Sequence, residues 1–260
     1  MNTNFETNLT YNQITFQRSN RLSITEREIH SYHEILFCMD ANATLFTETQ
    51  QKKLQGNVIF LIPKGQYHFL RVHNGEKFPR LKIAFSDSVL QSTPCGMLMT
   101  ELCQVDNESV QQLLKKLCYI LEQAPNEKQG FYAYAVFMML LAELDRCRLE
   151  HTALPVREEN NQQNQIIRYI SEHLSQDLTI EKLARQMNLS PSGITHNFKK
   201  EMGISVHQYI TQRRMTVAQN LLRSGEKSSK IYLDCGYKNY SSFYKAYLSF
   251  YGHPPSVDRE

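Results

Sequence analysis

The strongest constraint on the fold of this chain is a residue pattern that occurs twice between positions 178 and 255. Self-similarity at a fixed period indicates one supersecondary unit used twice. The copies are 48 positions apart up to Asn188 and 49 from Ser192 onward, which predicts one extra residue in the turn of the second copy. The matched pairs are Leu183 and Ile231, Asn188 and Gly236, Ser192 and Ser241, Ile194 and Phe243, Phe198 and Tyr247, and Gly203 and Gly252.

The first copy predicts two short helices joined by a tight turn. The side-chain oxygens of Thr179 and Ser190 can accept from free N–H groups at the start of each helix. Pro191 then occupies the first helical position, where its missing N–H costs nothing. Asn188 tolerates the left-handed backbone of a sharp turn, and Gly203 ends the second helix. With an apolar face on the first helix, this pattern is typical of a helix-turn-helix unit. That face consists of Ile180, Leu183, Ala184 and Met187.

The second helix of each copy is predicted to present polar side chains outward, while Ile194 and Phe198 turn inward. A recognition helix reaches base edges through residues near its N-terminus and phosphates through residues further along. In the first copy, the candidates for contact with base edges are Ser192, Thr195 and His196, and the candidates for contact with phosphates are Lys199 and Lys200. The equivalent residues of the second copy are Tyr240, Ser241, Tyr244 and Lys245. Lys245 is the strong candidate for guanine there, and a solvated helix face is the alternative for every one of these side chains.

A single long helix is predicted between the two copies, from Val206 to Ser224, with Gly225 at its end. Such a stiff connection would place the two readers in successive major grooves about 34 Å apart. Where the helix does not match that distance, the DNA must bend. The buried side of this helix is expected to consist of Val206, Tyr209, Ile210, Val217, Ala218, Leu221 and Leu222.

Residues 164 to 256 resemble the DNA-binding domain of the AraC/XylS family of bacterial transcription regulators. The resemblance implies a sequence-specific regulator that binds promoter DNA and, as an activator, contacts RNA polymerase. It also places Arg214 among the DNA-binding residues. The second copy departs from the family pattern at Ser228, Tyr232, Leu248 and Ser249, which predicts looser packing and weaker phosphate binding there. The matching residues are Leu183, Ala184, Phe198, Lys199, Lys200, Gly203, Tyr209, Ile210, Arg214, Ala218, Leu221, Leu222, Ile231, Gly236, Tyr237, Ser241, Phe243, Tyr247, Gly252 and Pro255.

Charge and cysteine content indicate a cytoplasmic protein with one basic end. From position 164 onward there are 13 Lys and Arg against 8 Asp and Glu, which leaves 16 against 18 before it. The basic end is the DNA-reading end. Six cysteines without CxxC or zinc spacing indicate free thiols in a reducing compartment. The N-terminus lacks a signal-peptide pattern, and the longest apolar run, Phe131 to Ala142, is shorter than the roughly 20 residues that a bilayer requires. No membrane segment is therefore expected.

The first half of the chain predicts a small β-barrel or sandwich. Residues 1–25 are expected to form an arm or a first edge strand. Beyond them, short runs rich in β-branched and aromatic residues are divided by turn residues, which is the pattern of consecutive strands. The predicted strands are Ile35–Met39, Thr44–Thr47, Val58–Ile62, His68–Val72 and Leu81–Phe85.

Residues 25 to 90 resemble the cupin barrel that AraC-family regulators use as a sensor domain. The resemblance implies that His30, Glu34 and His68 line a ligand site. In metal-bearing cupins two imidazoles and a carboxylate hold an ion. Against a metal, the His-x-His spacing is absent, because His30 and His33 are three apart and face opposite sides of a strand. The interpretation is therefore a small organic effector, without a metal or another cofactor.

From Glu108 the apolar pattern takes a helical period. One stripe comprises Val110, Leu113, Leu114, Leu117 and Leu121, and the run from Phe131 to Leu149 is apolar nearly all round. Such helices form either intramolecular core or the seam of a homodimer, and the family resemblance favours the homodimer. The seam is left open between helix 108–122 and helix 131–149. The polar run from His151 to Gln165 predicts a linker.

The sequence thus predicts an α+β multidomain protein: an N-terminal cupin-like β-barrel with trailing helices, and a C-terminal all-α domain of two helix-turn-helix units joined by a long helix. The domain limits are 1–150 for the sensor and dimerisation domain, 151–163 for the linker and 164–260 for the DNA-binding domain. The function hypothesis is a DNA-binding transcription regulator, not an enzyme, controlled by a small molecule. The alternatives are a metal-dependent cupin enzyme fused to a DNA-binding module, and a regulator without an effector.

Overall fold

The chain consists of two compact units in the computed structural model. The structure describes residues 5–21, 29–47, 51–73, 77–95, 98–99, 102–150, 153–155 and 162–259. The first unit comprises Met1–Glu28, Tyr32–Phe46 and Gln51–Arg157, and the second comprises Ile29–Ser31, Thr47–Gln50 and Glu158–Glu260. The predicted linker, residues 151–163, lies mostly outside the described residues, and the predicted domain limits stay a prediction.

A sheet of eight strands forms the framework of the first unit, within the residues that the structure describes. The strands are β1 (Glu6–Tyr11), β2 (Ile14–Arg21), β3 (His33–Thr47), β4 (Gln51–Ile62), β5 (His68–Val72), β6 (Lys77–Phe85), β7 (Cys103–Val105) and β8 (Ala153–Pro155). Their order is β1-β2-β6-β3-β4-β7-β8, with β5 paired to β3. β1 lies at one end of this order, as an edge strand within the expected N-terminal segment.

The strands differ from the sequence prediction most clearly at β3 and β8, while β4 and β6 begin earlier than predicted and β7 was not predicted. β3 unites the runs Ile35–Met39 and Thr44–Thr47, which the turn residues between them predict as separate strands. An irregularity around Asp40, whose φ is 48°, lets one strand bend and continue instead of ending. β8 lies inside the predicted linker and pairs with β7, so the described part of residues 151–163 consists of this strand and the start of the helix Gln162–Glu172.

The sheet buries apolar side chains on both faces. Along β3, Ile35 and Phe37 belong to one core cluster and Leu36 and Cys38 to another, in keeping with the two-residue period of a strand. The second cluster is drawn almost entirely from β3, β4, β5 and β6 themselves. A sheet that buries its own inner face must curl around it, and this confirms the expected cupin-like N-terminal domain.

Helices cover the other face of the sheet. They are α1 (Asp87–Gln91), α2 (Glu108–Glu122) and α3 (Gln129–Leu149). Asn107 caps α2 by accepting from the N–H of Val110 at 3.0 Å. Phe137 of α3 meets Phe16 and Phe85 of the sheet edge-on, with ring centroids 6.0 and 5.3 Å apart. The two predicted helices are confirmed, and their inward faces are intramolecular core.

From Gln162 onward, the described part of the second unit is helical. Its helices are α4 (Gln162–Glu172), α5 (Ile180–Met187), α6 (Pro191–Met202), α7 (Val206–Arg223), α8 (Ser228–Asp234) and α9 (Tyr240–Tyr251), followed by a 3-10 turn, Pro255–Val257. The pairs α5–α6 and α8–α9 are the two predicted helix-turn-helix units, here called the first and second readers. α7 is the long helix between them, so the predicted C-terminal fold is confirmed.

The first reader is capped as its sequence predicts. The side chains of Thr179 and Ser190 accept from backbone N–H groups three residues later, at 3.2 and 3.0 Å. Asn188 takes the left-handed conformation with φ 53°, and Gly203 ends α6 with φ 68°. Each cap satisfies a backbone group that the helix cannot satisfy itself. The short helices therefore begin and end at fixed residues.

The second turn is one residue longer than the first, as predicted. In the first reader the left-handed Asn188 precedes the N-cap residue Ser190 by two positions. In the second reader the left-handed Gly236, with φ 75°, precedes the N-cap residue Asn239 by three. The two recognition helices, α6 and α9, therefore leave their turns along different paths.

All six cysteines are buried and free, which confirms the expectation from their spacing. Burial raises the pKa of the Cys38 and Cys235 thiols to about 12. Both thiols are thus protonated and poorly nucleophilic at neutral pH. Within the described ranges, no helix is both long enough and apolar enough to cross a bilayer.

A polar cluster around Asp258 closes the second unit after α9. The Asp258 carboxylate accepts from the Tyr247 hydroxyl at 2.5 Å and from Gln219 Nε2 at 3.0 Å, and Arg223 Nη2 lies 3.3 Å away. Burial by itself would raise the pKa of Asp258, but the hydrogen bonds from Tyr247 and Gln219 and the charge of Arg223 hold it below its ordinary value. The C-terminal segment is therefore tied to α7 and α9 by an ionised carboxylate.

We expect Asp258→Asn to lower the free energy of unfolding at pH 7 by about 1–2 kcal/mol, because an amide oxygen accepts from these donors more weakly than a carboxylate. The folded-state pKa lies below the unfolded value of about 3.9, so the contribution of Asp258 is complete above that pH and is lost as pH falls through the folded value. Urea denaturation of parent and variant at a series of pH values from 7 downward measures this. A difference that stays constant to the lowest pH would contradict the assignment.

Candidate nucleic-acid interface

α6 places the predicted base-contacting side chains on one open face. Ser192, Thr195 and His196 are exposed, whereas Ile194 and Phe198 are fully buried. The three exposed side chains line an open groove together with both predicted phosphate contacts. The full lining is Ile180, Glu181, Pro191, Ser192, Thr195, His196, Lys199 and Lys200. The structure thus brings together all five residues predicted for the first reader.

The hydroxyl groups on this face are oriented by the helix itself. The Thr195 hydroxyl donates to the carbonyl oxygen of Pro191 at 2.9 Å. Its proton is therefore used within α6, and what Thr195 offers outward is an acceptor oxygen and a methyl group. Such a side chain can accept from a base amino group or contact the thymine methyl. Ser192 lies beside the N-cap, with its Oγ 3.2 Å from that of Ser190.

Charge is unequal along the groove of the first reader. Lys199 and Lys200 lie in the last turn of α6 and are exposed. Glu181 lines the same groove from the start of α5. A phosphate is attracted by the two lysines and repelled by the carboxylate. The arrangement suits a duplex whose backbone passes the C-terminal part of α6 and whose bases face Thr195 and His196.

In the second reader, Tyr240 is held against α8. Its hydroxyl lies 3.2 Å from Ser228 Oγ, and its ring meets that of Tyr232 edge-on with centroids 6.3 Å apart. Ser228 and Tyr232 are two of the positions at which the sequence departs from the AraC/XylS pattern. The Tyr232 ring, which would crowd a close contact between two helices, packs on the Tyr240 ring instead. Tyr240, predicted as a DNA contact, thereby joins α8 to α9 while remaining 38% exposed.

The other predicted contacts of the second reader are more open. Ser241 and Lys245 are exposed, and Tyr244 is half-buried with its ring 6.1 Å from that of Tyr240. Lys245 is the single basic residue in the sequence of α9. Leu248, which stands where the family has a basic residue, is exposed at 40%. The second face therefore offers phosphate less positive charge than the first.

Arg214 of α7, predicted to bind DNA, is engaged by the backbone of its own unit. Nε donates to the carbonyl oxygen of Leu174 at 3.0 Å, and Nη2 donates to that of Gln176 at 2.7 Å. The guanidinium carbon lies 5.5 Å from the centroid of the Tyr237 ring. Arg214 is half-buried and is not among the residues that line the groove of the first reader.

In the first unit, Glu34 and His68 form a buried polar pair. Their exposures are 1% and 3%, and His68 Nε2 lies 3.7 Å from Glu34 Oε1. Lys82 of β6 completes the environment, with Nζ 3.5 Å from Glu34 Oε2. Lys82, which was not predicted as part of this site, is the one charged residue of the predicted strand Leu81–Phe85. A buried carboxylate is thus flanked by an ammonium group and an imidazole.

His30 belongs to the same set of potential ligand atoms. The donor atoms of His30, Glu34 and His68 all lie within 4.8 Å of one another, and the three residues are buried. Two imidazoles and one carboxylate fit a metal ion in number and kind. The Lys82 ammonium beside Glu34 opposes a further cation, because like charges repel strongly where water is excluded. His33 is engaged elsewhere, with Nε2 2.7 Å from Asp87 Oδ1. His30 precedes β3, so the prediction that the two histidines face opposite sides of one strand is wrong in its premise.

Two family models match this chain. One, described as the AraC-like ligand binding domain, matches residues 13–141, and the other, described as a helix-turn-helix domain, matches residues 183–260. The first match contains Glu34, His68 and Lys82. The second contains both recognition helices and Arg214. The sensor-like and DNA-reading halves are therefore each matched by a family model of their own.

Several relatives of this chain carry the names of regulators. The chain is 33% identical over 89 residues to the probable transcriptional regulator LumQ of Photobacterium leiognathi, a match that spans 34% of this chain and 36% of that protein. It is 23% identical over 244 residues to the Msm operon regulatory protein of Streptococcus mutans, covering 89% and 85% of the two chains. It is 28% identical to the transcriptional activator RhaS of Salmonella paratyphi B over 53% of this chain and 50% of that one.

Solved structures give weaker likenesses. ToxT from Vibrio cholerae aligns at a TM-score of 0.41 and 16% identity, covering 94% of this chain and 96% of that one. The C-terminal domain of the response regulator AraT from Geobacillus stearothermophilus aligns at a TM-score of 0.36 and 34% identity, covering 36% and 80%.

Proposed function

The chain belongs to the AraC family of bacterial transcriptional regulators, and from that premise we propose that it binds promoter DNA through its two readers under the control of a small molecule held in its N-terminal unit. The observation that carries the proposal is the open face of α6. There Thr195 and His196 stand outward beside Lys199 and Lys200, on a helix fixed by caps at both ends. Side chains that read bases and side chains that bind phosphate are thus presented together.

In this proposal the first reader supplies most of the affinity and sequence preference. His196 and Thr195 contact base edges, and Lys199 and Lys200 contact phosphates. The second reader enters the next major groove, about 34 Å along the duplex. Ser241, Tyr244 and Lys245 are its contact residues, with Tyr240 at the margin because it also packs on α8. Since α9 carries one basic residue, the second reader contributes less to the salt-dependent part of binding.

The N-terminal unit is proposed to hold the effector against the polar group of Glu34, His68 and Lys82, with His30 nearby. Along β3, Glu34 is two residues from Leu36 and four from Cys38, so its carboxylate lies on the same face of the sheet as this second core cluster. An organic molecule with one polar end and an apolar body would satisfy both kinds of surroundings. The proximity of His30, Glu34 and His68 also supports the second candidate, a metal-dependent cupin enzyme fused to a DNA-binding module.

We further propose that the protein is a homodimer joined through the outer face of α3. Phe131 and Met139 are large apolar side chains that are 57% and 59% exposed on this helix, and a contiguous apolar patch marks an interaction surface. Ala135 and Ala142 are exposed in the same stripe, at spacings of three and four residues that keep all four on one side. Two small and two large residues in such a stripe allow a second helix to approach closely. α2 offers Tyr119 as its large exposed apolar residue among those described.

The remaining partners follow from the proposed regulatory role. As an activator the protein would contact RNA polymerase when bound to DNA, and it would act in the cytoplasm. The relatives are named as regulators, which supports a protein that is not an enzyme. A regulator of this family without an effector is the third candidate, and a ligand that stabilises the protein would argue against it.

For the DNA interface, we expect His196→Ala to change which bases are preferred at one half of the site, because His196 faces base edges. Lys199→Ala should instead weaken binding to all sequences alike and reduce the slope of log K against log salt by roughly one unit. Genomic fragments selected with the parent protein provide the duplexes, and titrations at several salt concentrations measure both effects. The assignment of α6 fails if His196→Ala keeps the sequence preference of the parent.

For the effector site, we expect a compound that raises the melting temperature of the parent to lose this effect in Glu34→Gln, because the amide removes the charge that Lys82 and His68 surround. Asp87→Asn, which alters the His33 pair instead, is the matched control and should respond like the parent. A compound that stabilises Glu34→Gln equally well would place the site elsewhere. Stoichiometric iron, manganese or zinc in the parent, lost in His68→Ala, would support the enzyme candidate.

For the dimer, we expect Met139→Asp to convert the protein to a monomer, because two carboxylates would face each other across an apolar seam. Its affinity for a selected duplex should fall as the second set of readers is lost. Sedimentation velocity with parent and variant measures the oligomeric state. Tyr119→Asp on α2 is the matched variant and should stay dimeric. Dissociation by Tyr119→Asp alone would move the seam to α2, and a monomeric parent would remove the proposal.

A further inference from the structure

Arg214 joins parts of the second unit that lie far apart in sequence. It stands in the middle of α7, and its guanidinium donates to the carbonyl oxygens of Leu174 and Gln176, at 3.0 and 2.7 Å. These two residues lie between the end of α4 and the start of the first reader. Two different nitrogens of one planar group serve the two oxygens, which fixes its orientation as well as its position.

The same guanidinium contacts the turn of the second reader. Its Cζ lies 5.5 Å from the centroid of the Tyr237 ring, within reach of a cation–π interaction. A Cβ atom placed on the preceding residue, Gly236, would come within 2.6 Å of Arg214 Nη2 and within 2.5 Å of the Leu174 oxygen. Only a residue without a side chain allows this approach. The turn of the second reader therefore rests directly on Arg214 and on the segment that leads into the first.

A second contact crosses the same joint at the surface. Asp177, in that lead-in segment, has Oδ2 3.8 Å from Lys182 Nζ of α5 and 3.8 Å from Lys238 Nζ in the turn of the second reader. These side chains are largely exposed, so the pairs contribute little stability. They show that both readers contact the segment around residues 174–177, with the half-buried Arg214 at the centre of this contact.

The geometry points to a role for Arg214 that rests on the proposed function and differs from a DNA contact: it is a positioning residue that sets the separation and relative angle of the two readers. Its N–H donors Nε and Nη2 are directed at backbone oxygens of the protein, and burial lowers the pKa of its guanidinium. Two of its five N–H groups are thereby used within the protein, so the guanidinium is held in place by the fold and not by a DNA phosphate. Arg214 therefore governs which spacing between the two half-sites the protein accepts.

The test uses the full-length protein and a duplex selected by the parent, in three forms: native, with one base pair inserted between the half-sites, and with the half-site of the second reader scrambled. We expect Arg214→Ala to bind the native duplex about tenfold more weakly, as a loosely held second reader adds less effective concentration. The penalty for the inserted base pair, measured as the ratio of the two affinities, should shrink. Affinity for the scrambled duplex and the salt slope should match those of the parent.

Lys199→Ala is the control for a phosphate contact, since it should reduce the slope by about one unit and leave the spacing ratio unchanged. Arg214→Lys, with one donor nitrogen in place of the fork, should fall between parent and Arg214→Ala. Gly236→Ala, which crowds Arg214 without changing any charge, should relax the spacing ratio in the same direction. These two variants keep the test decisive if Arg214→Ala does not fold, which circular dichroism would reveal.

Two results would overturn the inference: a salt slope reduced by about one unit in Arg214→Ala, or a spacing ratio equal to that of the parent in every folded variant. Both leave the proposed function intact. A parent protein without preference for any selected duplex over a scrambled one would instead overturn the proposed function and this inference together.

Discussion

The fold of the second unit depends on the burial of α7. The first half of this helix packs against the first reader, and its second half packs against the second reader. Near its start, Tyr209 packs on Phe198 of α6, with ring centroids 5.5 Å apart. Further along, Met215, Ala218 and Leu222 share a core with Ile231, Phe243 and Tyr247 of the second reader. A pair of helices of 8 and 12 residues cannot form a stable core alone. The shared helix is therefore both the spacer and the stabilising element of the two readers.

Most of the helical fold could be predicted because its determinants are local. Thr179, Asn188, Ser190 and Gly203 each act on a backbone group within a few residues, so their effect can be inferred from sequence order alone. The extra residue in the second turn was visible for the same reason. The merging of two predicted strands into β3 could not be predicted. The turn-like residues around Asp40 produce a bend inside a strand, because pairing with neighbouring strands keeps β3 continuous.

The candidate site was predictable only where exposure follows from helical period. Ser192, Thr195 and His196 share a face for that reason. Arg214 is held by the backbone of Leu174 and Gln176, which are distant from it in sequence, so no sequence pattern reveals the contact. Tyr240 is held by side-chain packing on Ser228 and Tyr232, which a pattern does not reveal either. Lys82 could be assigned to the site only from the pairing of β3 with β6, which sets it beside Glu34. Tertiary contacts thus decide which predicted side chains are available to a ligand.

The unequal turns of the two readers make the second unit asymmetric, so it binds DNA in one orientation. Because α6 and α9 leave turns of different length and carry unlike side chains, a rotated chain would not present the same surface to the same sequence. An asymmetric second unit of this kind distinguishes the two orientations of a duplex. Two copies of an operator in opposite orientations would bind the first and second readers in opposite order along the DNA.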